Sequence, residues 1–155
     1  MLCNLGRVIA TDLSQLGVDA VVAAARFTRL ASRDVSALPH AAMRLLGRLD
    51  ELGPTRISEL AKADRCSQPT MSTLVQRQED SGLVRREADP ADSRASLISL
   101  TDAGRAELDR ARREAGDAVA RRLVHLPADD VRTLEAAVTV LHKILTLEPT
   151  EDTPR

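Results

Sequence analysis

The sequence predicts a mainly α-helical chain with a small β-hairpin wing: a winged helix-turn-helix flanked by N- and C-terminal dimerisation helices. Three observations predict it. The composition is aliphatic, 43% hydrophobic but only 1% aromatic, with Phe27 the single aromatic residue, and it favours helix over sheet. Apolar residues recur at steps of three and four near both ends of the chain. The segment between them, Ser58 to Leu100, reads as a short helix, a turn, a second helix and two strand-like runs.

At the N-terminus, Leu2, Leu5, Ile9, Leu13, Leu16, Ala20, Ala23, Phe27 and Leu30 make a heptad-like stripe, on one helix or on two pieces broken near Gly6 or Gly17. So long a stripe at the edge of a small domain has few partners within its own chain, so a second copy is expected to cover it. Ser36 is the expected N-cap of the next helix, with Pro39 near its first turn; Leu45, Leu46, Leu49 and Leu52 form its apolar side, and Gly53-Pro54 stops it. Thr55-Arg56-Ile57 is too short to be more than a bridge. Ser58 is expected to cap a third helix whose inner side is Leu60, Ala61 and Ala63.

Cys66 ends the turn and Ser67 caps the fourth helix, with Pro69 in the first turn, where a missing N–H costs nothing. Met71, Leu74 and Val75 face inward, which leaves Gln68, Thr70, Ser72, Thr73, Gln76 and Arg77 on the surface, before Gly82 closes the helix. Leu83–Glu87 and Ser96–Leu100 are the strands, and Ala88–Ala95 between them is expected to be a projecting loop too long for a tight turn. Thr101-Asp102 caps a long fifth helix with Leu108, Ala111, Ala115, Val119, Leu123 and Leu126 on its apolar side. Pro127 ends it. A sixth helix from about Asp129 to Leu147 carries Val131, Leu134, Val138, Leu141 and Leu145 on one line and Ala137, Val140, Ile144 and Leu147 on the next, so it is expected to be nearly buried. The polar tail that follows is expected to be disordered.

These elements divide the chain into an N-terminal dimerisation helix (1–34), a winged module (35–104), C-terminal dimerisation helices (105–148) and a tail (149–155). The interface residues expected are Leu13, Leu16, Ala20, Val131, Leu134, Val138, Leu141 and Leu145.

Several classes are disfavoured. No run approaches the ~18 to 20 apolar residues a membrane span needs, and the N-terminus lacks the order of a secretory signal, so a cytoplasmic protein with no membrane partner is expected. Cys3 and Cys66 show no Cys-x-x-Cys spacing, and His40, His125 and His142 are scattered, so neither a metal nor another cofactor is expected. No Ser-His-Asp arrangement or Gly-rich phosphate loop points to an enzyme.

Charge opposes the simplest nucleic-acid reading. The net charge is −1 and the pI about 6.3. Between Thr55 and Leu100, Arg56, Lys62, Arg65, Arg77, Arg85, Arg86 and Arg94 are matched one for one by Glu59, Asp64, Glu79, Asp80, Glu87, Asp89 and Asp92. DNA binding must therefore rest on where charges sit.

The order of elements resembles the MarR family of winged helix-turn-helix regulators, as do five local strings: Ile57-Ser58-Glu59-Leu60-Ala61, Pro69-Thr70-Met71-Ser72, Ser81-Gly82-Leu83-Val84-Arg85-Arg86, Asp89-Pro90-Ala91-Asp92-Ser93-Arg94-Ala95 and Leu100-Thr101-Asp102-Ala103-Gly104. The resemblance implies a homodimeric regulator, more often a repressor, on a pseudo-palindromic duplex. It implies that the Ser67 or Thr70 hydroxyl meets phosphate, that Gln68, Ser72, Thr73, Gln76 and Arg77 face base edges or phosphates, that Arg85 or Arg86 contacts phosphate, and that Arg94, oriented by Asp92, enters the minor groove. It further implies relief by a small lipophilic effector, in a pocket that would be aliphatic here, around Phe27, Leu45 and Leu49.

Departures from the family pattern are Gln78, where an apolar residue is common, Ser93, where a second basic wing residue is frequent, and Cys66, where a small apolar residue often packs under the turn. A thiol-based oxidation sensor on the same fold is the weaker alternative, since no Tyr is present to hold a thiolate near Cys3. The alternative from another class is a helical dimeric protein-binding module whose winged domain has lost DNA affinity.

Overall fold

The computed structural model of the chain describes residues 12–32 and 38–147. Expectations for Leu2 to Ile9, Cys3, Ser36 and the tail beyond Glu148 lie outside them. In chain order the elements are α1 (Leu13–Ser32), α2 (His40–Leu52), β1 (Thr55–Arg56), α3 (Ile57–Ala63), α4 (Gln68–Asp80), β2 (Val84–Asp89), β3 (Asp92–Leu100), α5 (Asp102–Leu123) and α6 (Ala128–Thr146). The chain forms two compact units that divide between Ala118 and Val119, within α5.

The predicted winged helix-turn-helix is present in the first unit. Its core joins Leu45, Leu46 and Leu49 of α2 to Leu60 of α3, Met71 and Val75 of α4, Val84 and Ile98 of the sheet, and Leu108 of α5. Each such aliphatic side chain contributes roughly 1.5–3 kcal/mol on burial. The three-stranded sheet has the order β1-β3-β2, antiparallel throughout, with Thr55 opposite Ile98 and Val84 opposite Leu100.

Local details differ from the sequence reading. The α1 helix runs unbroken through Gly17. Pro39 is the N-cap of α2 and precedes its first turn. Leu52 ends that helix exposed, because Gly53 in a left-handed conformation (φ 71°) turns the chain away there. The α3 helix begins at Ile57, not Ser58; Arg56 occupies the cap position and no side chain caps it. Ala63 is exposed. On α5, Leu108, Ala111 and Ala118 are buried, Ala115 and Val119 partly so, and Leu126 beyond it is exposed.

The wing shows the largest difference. The segment 88–95 is mostly strand, and only Pro90-Ala91 forms the turn, so the hairpin is longer and tighter than expected. The Asp89 carboxylate makes this possible by accepting the Ala91 N–H at 2.8 Å, an Asx-type turn that sequence runs of β propensity do not reveal.

Both central helices end in the same hydrogen-bonded motif. After α3, the Arg65 N–H donates to Lys62 O and the Cys66 N–H to Ala61 O; after α4, the Gly82 N–H donates to Glu79 O and the Leu83 N–H to Gln78 O. These are Schellman caps, which need a left-handed residue at the third position of the closing turn. Gly82 adopts it freely at φ 71°, whereas Arg65 adopts it at φ 51° against the Cβ clash that L-residues meet there. The motif's apolar contact is served by Cys66 over Ala61, which explains a half-buried cysteine packed on the core. After α4 the corresponding place is held by Gln78, which is buried at 7% exposure.

The second Schellman cap is also a joint. Thr101 donates its hydroxyl to Gly82 O at 2.6 Å and its N–H to Leu83 O at 3.1 Å, while its Oγ1 accepts the Gly104 N–H at 3.0 Å and so caps α5. Gly104 is pressed against this turn so closely that a Cβ would stand 1.9 Å from Leu83 O.

The α1 and α6 helices carry their apolar residues largely in the open. Leu13 is 67% exposed, Val21 70% and Leu145 81%. No residue of α6 is buried within the single chain: Val131 and Leu134 are half-buried and its other apolar residues are exposed, so the described residues of one chain do not supply the near-burial expected of this helix. No described helix is long and apolar enough to cross a membrane.

Gly104→Ala is expected to destabilise the fold by about 3 kcal/mol or more, because the obstacle is backbone and cannot rotate aside. Chemical denaturation measures this directly, and a loss under about 0.5 kcal/mol would contradict the close approach.

Candidate nucleic-acid interface

The α4 helix presents the polar row. Ser67 caps it, its Oγ accepting the Thr70 N–H at 3.3 Å and lying 2.7 Å from Thr70 Oγ1. The two hydroxyls therefore hold each other at the helix start while staying exposed. Thr73 turns its hydroxyl back to Pro69 O at 3.0 Å, and Gln76 donates its amide to Asp80 at 2.9 Å. Gln68 and Arg77 are exposed and Ser72 is half-buried; among the described residues none of the three side chains has a hydrogen-bond or ion-pair partner. The α4 surface thus offers free groups at both ends, with its middle hydroxyl partly engaged by the backbone.

The arginines of the wing differ sharply. Arg85 and Arg86, neighbours on β2, point to opposite faces: Arg85 donates to Ser99 Oγ at 3.1 Å and lies 3.4 Å from Glu87, while Arg86 reaches Glu79 on α4 at 3.4 Å. Arg94 is exposed, and among the described residues its guanidinium has no partner. Asp92 does support Arg94, but through the backbone: Asp92 Oδ1 accepts the Arg94 N–H at 3.1 Å. Asp92 thus holds the Arg94 peptide and not its side chain, whose guanidinium is unpaired among the described residues.

A cleft of about 330 Å³ lies between the wing and the start of α4, lined by Arg56, Ser58, Gln68, Arg86, Arg94 and Ser96 among others. It gathers three guanidinium groups at one place in a chain of nearly neutral charge. A second groove of about 410 Å³ flanks the other side of α4, where Arg44, Asp64, Cys66, Thr70 and Arg77 contribute to its walls. Arg44 pairs with Asp64 through two bonds, Nε to Oδ1 at 3.0 Å and Nη2 to Oδ2 at 2.8 Å, tying α2 to the turn of the helix-turn-helix.

Arg56, Ser58, Ser96 and Arg44 escaped the sequence reading. Arg56 sits on a two-residue strand whose partner is about forty positions away (Leu97), and no local pattern shows such a pairing. Leu45 and Leu49, expected at a ligand pocket, lie in the core at 2% and 3% exposure, while Phe27 is 48% exposed on α1. None of the three lines either of the two clefts beside α4. No group of three or more His, Cys, Asp or Glu among the described residues could hold a metal ion.

Residues 38–96, the helix-turn-helix and most of the wing, match the MarR family. Over most of its length the chain is similar to two transcriptional regulators of Pseudomonas aeruginosa of known structure. One is 30% identical, covering 82% of this chain and 96% of the other with a TM-score of 0.55; the second is 27% identical, covering 89% and 99% with a TM-score of 0.71. The chain belongs to the MarR family. It also resembles the HTH-type transcriptional regulator YxaD of Bacillus subtilis, 39% identical over 61 residues; that match spans 39% of this chain and 43% of YxaD. These matches are regulators and none is an enzyme.

In this MarR-family chain the electrostatics of the wing turn are specific. The Asp89 carboxyl is held below the usual carboxylate range by the Ala91 N–H and by Arg56, whose guanidinium is raised in turn, chiefly by its hydrogen bonds to Asp89. A depressed folded pKa means the carboxylate stabilises the turn above the unfolded value, about 3.9, and that support is lost as pH falls through the folded value. Amide exchange at Ala91 is expected to stay protected down to about pH 4 and to lose protection only in more acid solution. Loss of protection already between pH 5 and 7 would contradict the assignment.

Proposed function

We propose that this MarR-family chain is a homodimeric, sequence-specific double-stranded DNA-binding transcription regulator, acting as a repressor relieved by a small lipophilic ligand. The observation that carries the reading is the placement of charge. In a nearly neutral chain, the unpaired Arg94 and Gln68 line one cleft between the wing and the start of α4, and the unpaired Arg77 lines the groove on the other side of that helix. An isolated guanidinium suits the narrow, strongly negative minor groove, and a helix start with exposed hydroxyls suits phosphate.

On this reading Ser67 and Thr70 meet backbone phosphate. Gln68, Ser72, Thr73, Gln76 and Arg77 face the major groove, and Thr73 and Gln76 must exchange their intrahelical bonds for contacts to DNA. Arg85 and Arg86 compete with Glu87 and Glu79, so at most one of them neutralises a phosphate fully. Asp92 keeps its role as the brace of the Arg94 peptide.

The open apolar faces of α1 and α6 support the dimer, through Leu13, Leu16, Ala20, Val131, Leu134, Val138, Leu141 and Leu145. The functional division follows: residues 1–34 and 105–148 pair the chains, and 35–104 meets DNA. An effector site at Phe27, Leu45 and Leu49 would use the exposed ring of Phe27 on α1 and would require Leu45 and Leu49 to be uncovered from the core.

Binding to the DNA upstream of its own gene is expected to weaken steeply with salt, by roughly 0.9 log units per log unit of salt for each phosphate neutralised. Arg94→Ala is expected to weaken it by about 10- to 100-fold and to reduce the salt slope by about one contact. Fluorescence anisotropy at several salt concentrations reads both, and binding that is undetectable at low salt or indifferent to Arg94→Ala would refute the reading.

A further inference from the structure

The β2–β3 ladder is regular from Val84↔Leu100 to Ala88↔Ser96 and then jumps to Asp89↔Asp92. Ser93, Arg94 and Ala95 on β3 therefore have no partner residues on β2. The residue on which the wing's DNA contact rests sits in the middle of an irregularity, where cross-strand pairing does not set its direction.

Two side-chain braces replace the missing ladder. One is the Asp92 carboxylate on the Arg94 N–H. The other comes from outside the hairpin. Arg56 on β1 reaches across β3 to Asp89 at the end of β2, and its Nε and Nη2 lie 2.6 and 2.5 Å from the same Oδ2. Asp89 uses its other oxygen, Oδ1, for the Ala91 N–H that forms the turn. Asp89 is only 7% exposed, so the pair is sheltered on the carboxylate side. The turn of the wing is thus bolted to the strand that leads into α3, and Arg56 and Arg94 line the same cleft.

We propose that Arg56 is a positioning residue for the wing: through Asp89 it fixes the hairpin relative to α4 and so holds Arg94 where the minor groove requires it. This rests on the DNA reading above. The competing role for a guanidinium in that cleft is a direct contact to phosphate. The geometry favours positioning, because both donors that Arg56 directs at Asp89 are committed to one buried carboxylate oxygen. A residue acting through Arg94 and a residue touching phosphate differ in a double-mutant cycle.

The test titrates the same upstream duplex with Arg56→Met, which keeps the aliphatic stem, in the parent chain and in the Arg94→Ala background. Positioning predicts about a tenfold loss of affinity in the parent background, less than about twofold with Arg94→Ala, and an unchanged salt slope in both. A loss of equal size in both backgrounds, with a slope lower by about 0.9, would make Arg56 a phosphate ligand and overturn the proposal. No loss in the parent background would overturn it as well. Asp89→Asn retains an oxygen for the Ala91 N–H but removes the charge that holds Arg56; it must reproduce the pattern, and it carries the test if Arg56→Met fails to fold. Failure of the parent chain to bind would overturn both this proposal and the DNA reading, and that outcome is visible before any variant is made.

Discussion

At Leu83 and Gly104 two backbones approach more closely than a methyl group permits, and the arrangement of the winged module depends on that contact. Gly82 closes α4, Leu83 starts the turn into β2, and Thr101 caps α5 while bonding to both. One joint thus sets the end of the groove-facing helix, the root of the wing and the start of the long helix leading to the C-terminal end of the chain. Rotating any one of them breaks hydrogen bonds made by the others. The side chains that would touch DNA are positioned from this point outward.

Charge is economical in the site built on it. Many described arginines of the first unit are engaged: Arg44 with Asp64, Arg56 with Asp89, Arg86 with Glu79, Arg105 and Arg112 with Asp50. The Asp50 carboxyl is lowered by those last two, Arg112 first. The more exposed of these pairs contribute little to stability, but all of them decide which cations remain available to a polyanion. Among the described residues Arg94 on the wing and Arg77 on α4 are left unpaired, as are Lys62 and Arg65 at the turn between α3 and α4. A balanced total charge is therefore compatible with a locally cationic surface, and long-range attraction to DNA should be modest compared with short-range fit.

Much of this was legible in the sequence because it rests on local rules. Ser67 before Gln68-Pro69, Gly53-Pro54 after α2, Gly82 after α4 and the spacing of Met71, Leu74 and Val75 are signals read within a few residues, and the structure follows them, with Leu74 half-buried. What was missed depends on contacts between distant positions. The true length of the wing depends on Asp89 folding onto Ala91 and Arg56, and the start of α3 at Ile57 depends on β1 pairing with β3. Gln78 was legible as a departure, and its position beneath the Schellman turn explains why an apolar residue would suit that place better. The stripes on α1 and α6 are apolar as the sequence indicates, and most of their residues are exposed among the described residues.

The central claim, that two copies of this module read duplex DNA together, is tested most directly by selecting bound fragments from a random DNA pool. The expected product is an inverted repeat whose half-sites are centred about 10 base pairs apart, or a small multiple of that, with A·T-rich positions at the flanks where Arg94 would enter the minor groove. Recovery of no enriched sequence, or of a single site without two-fold symmetry, would contradict it.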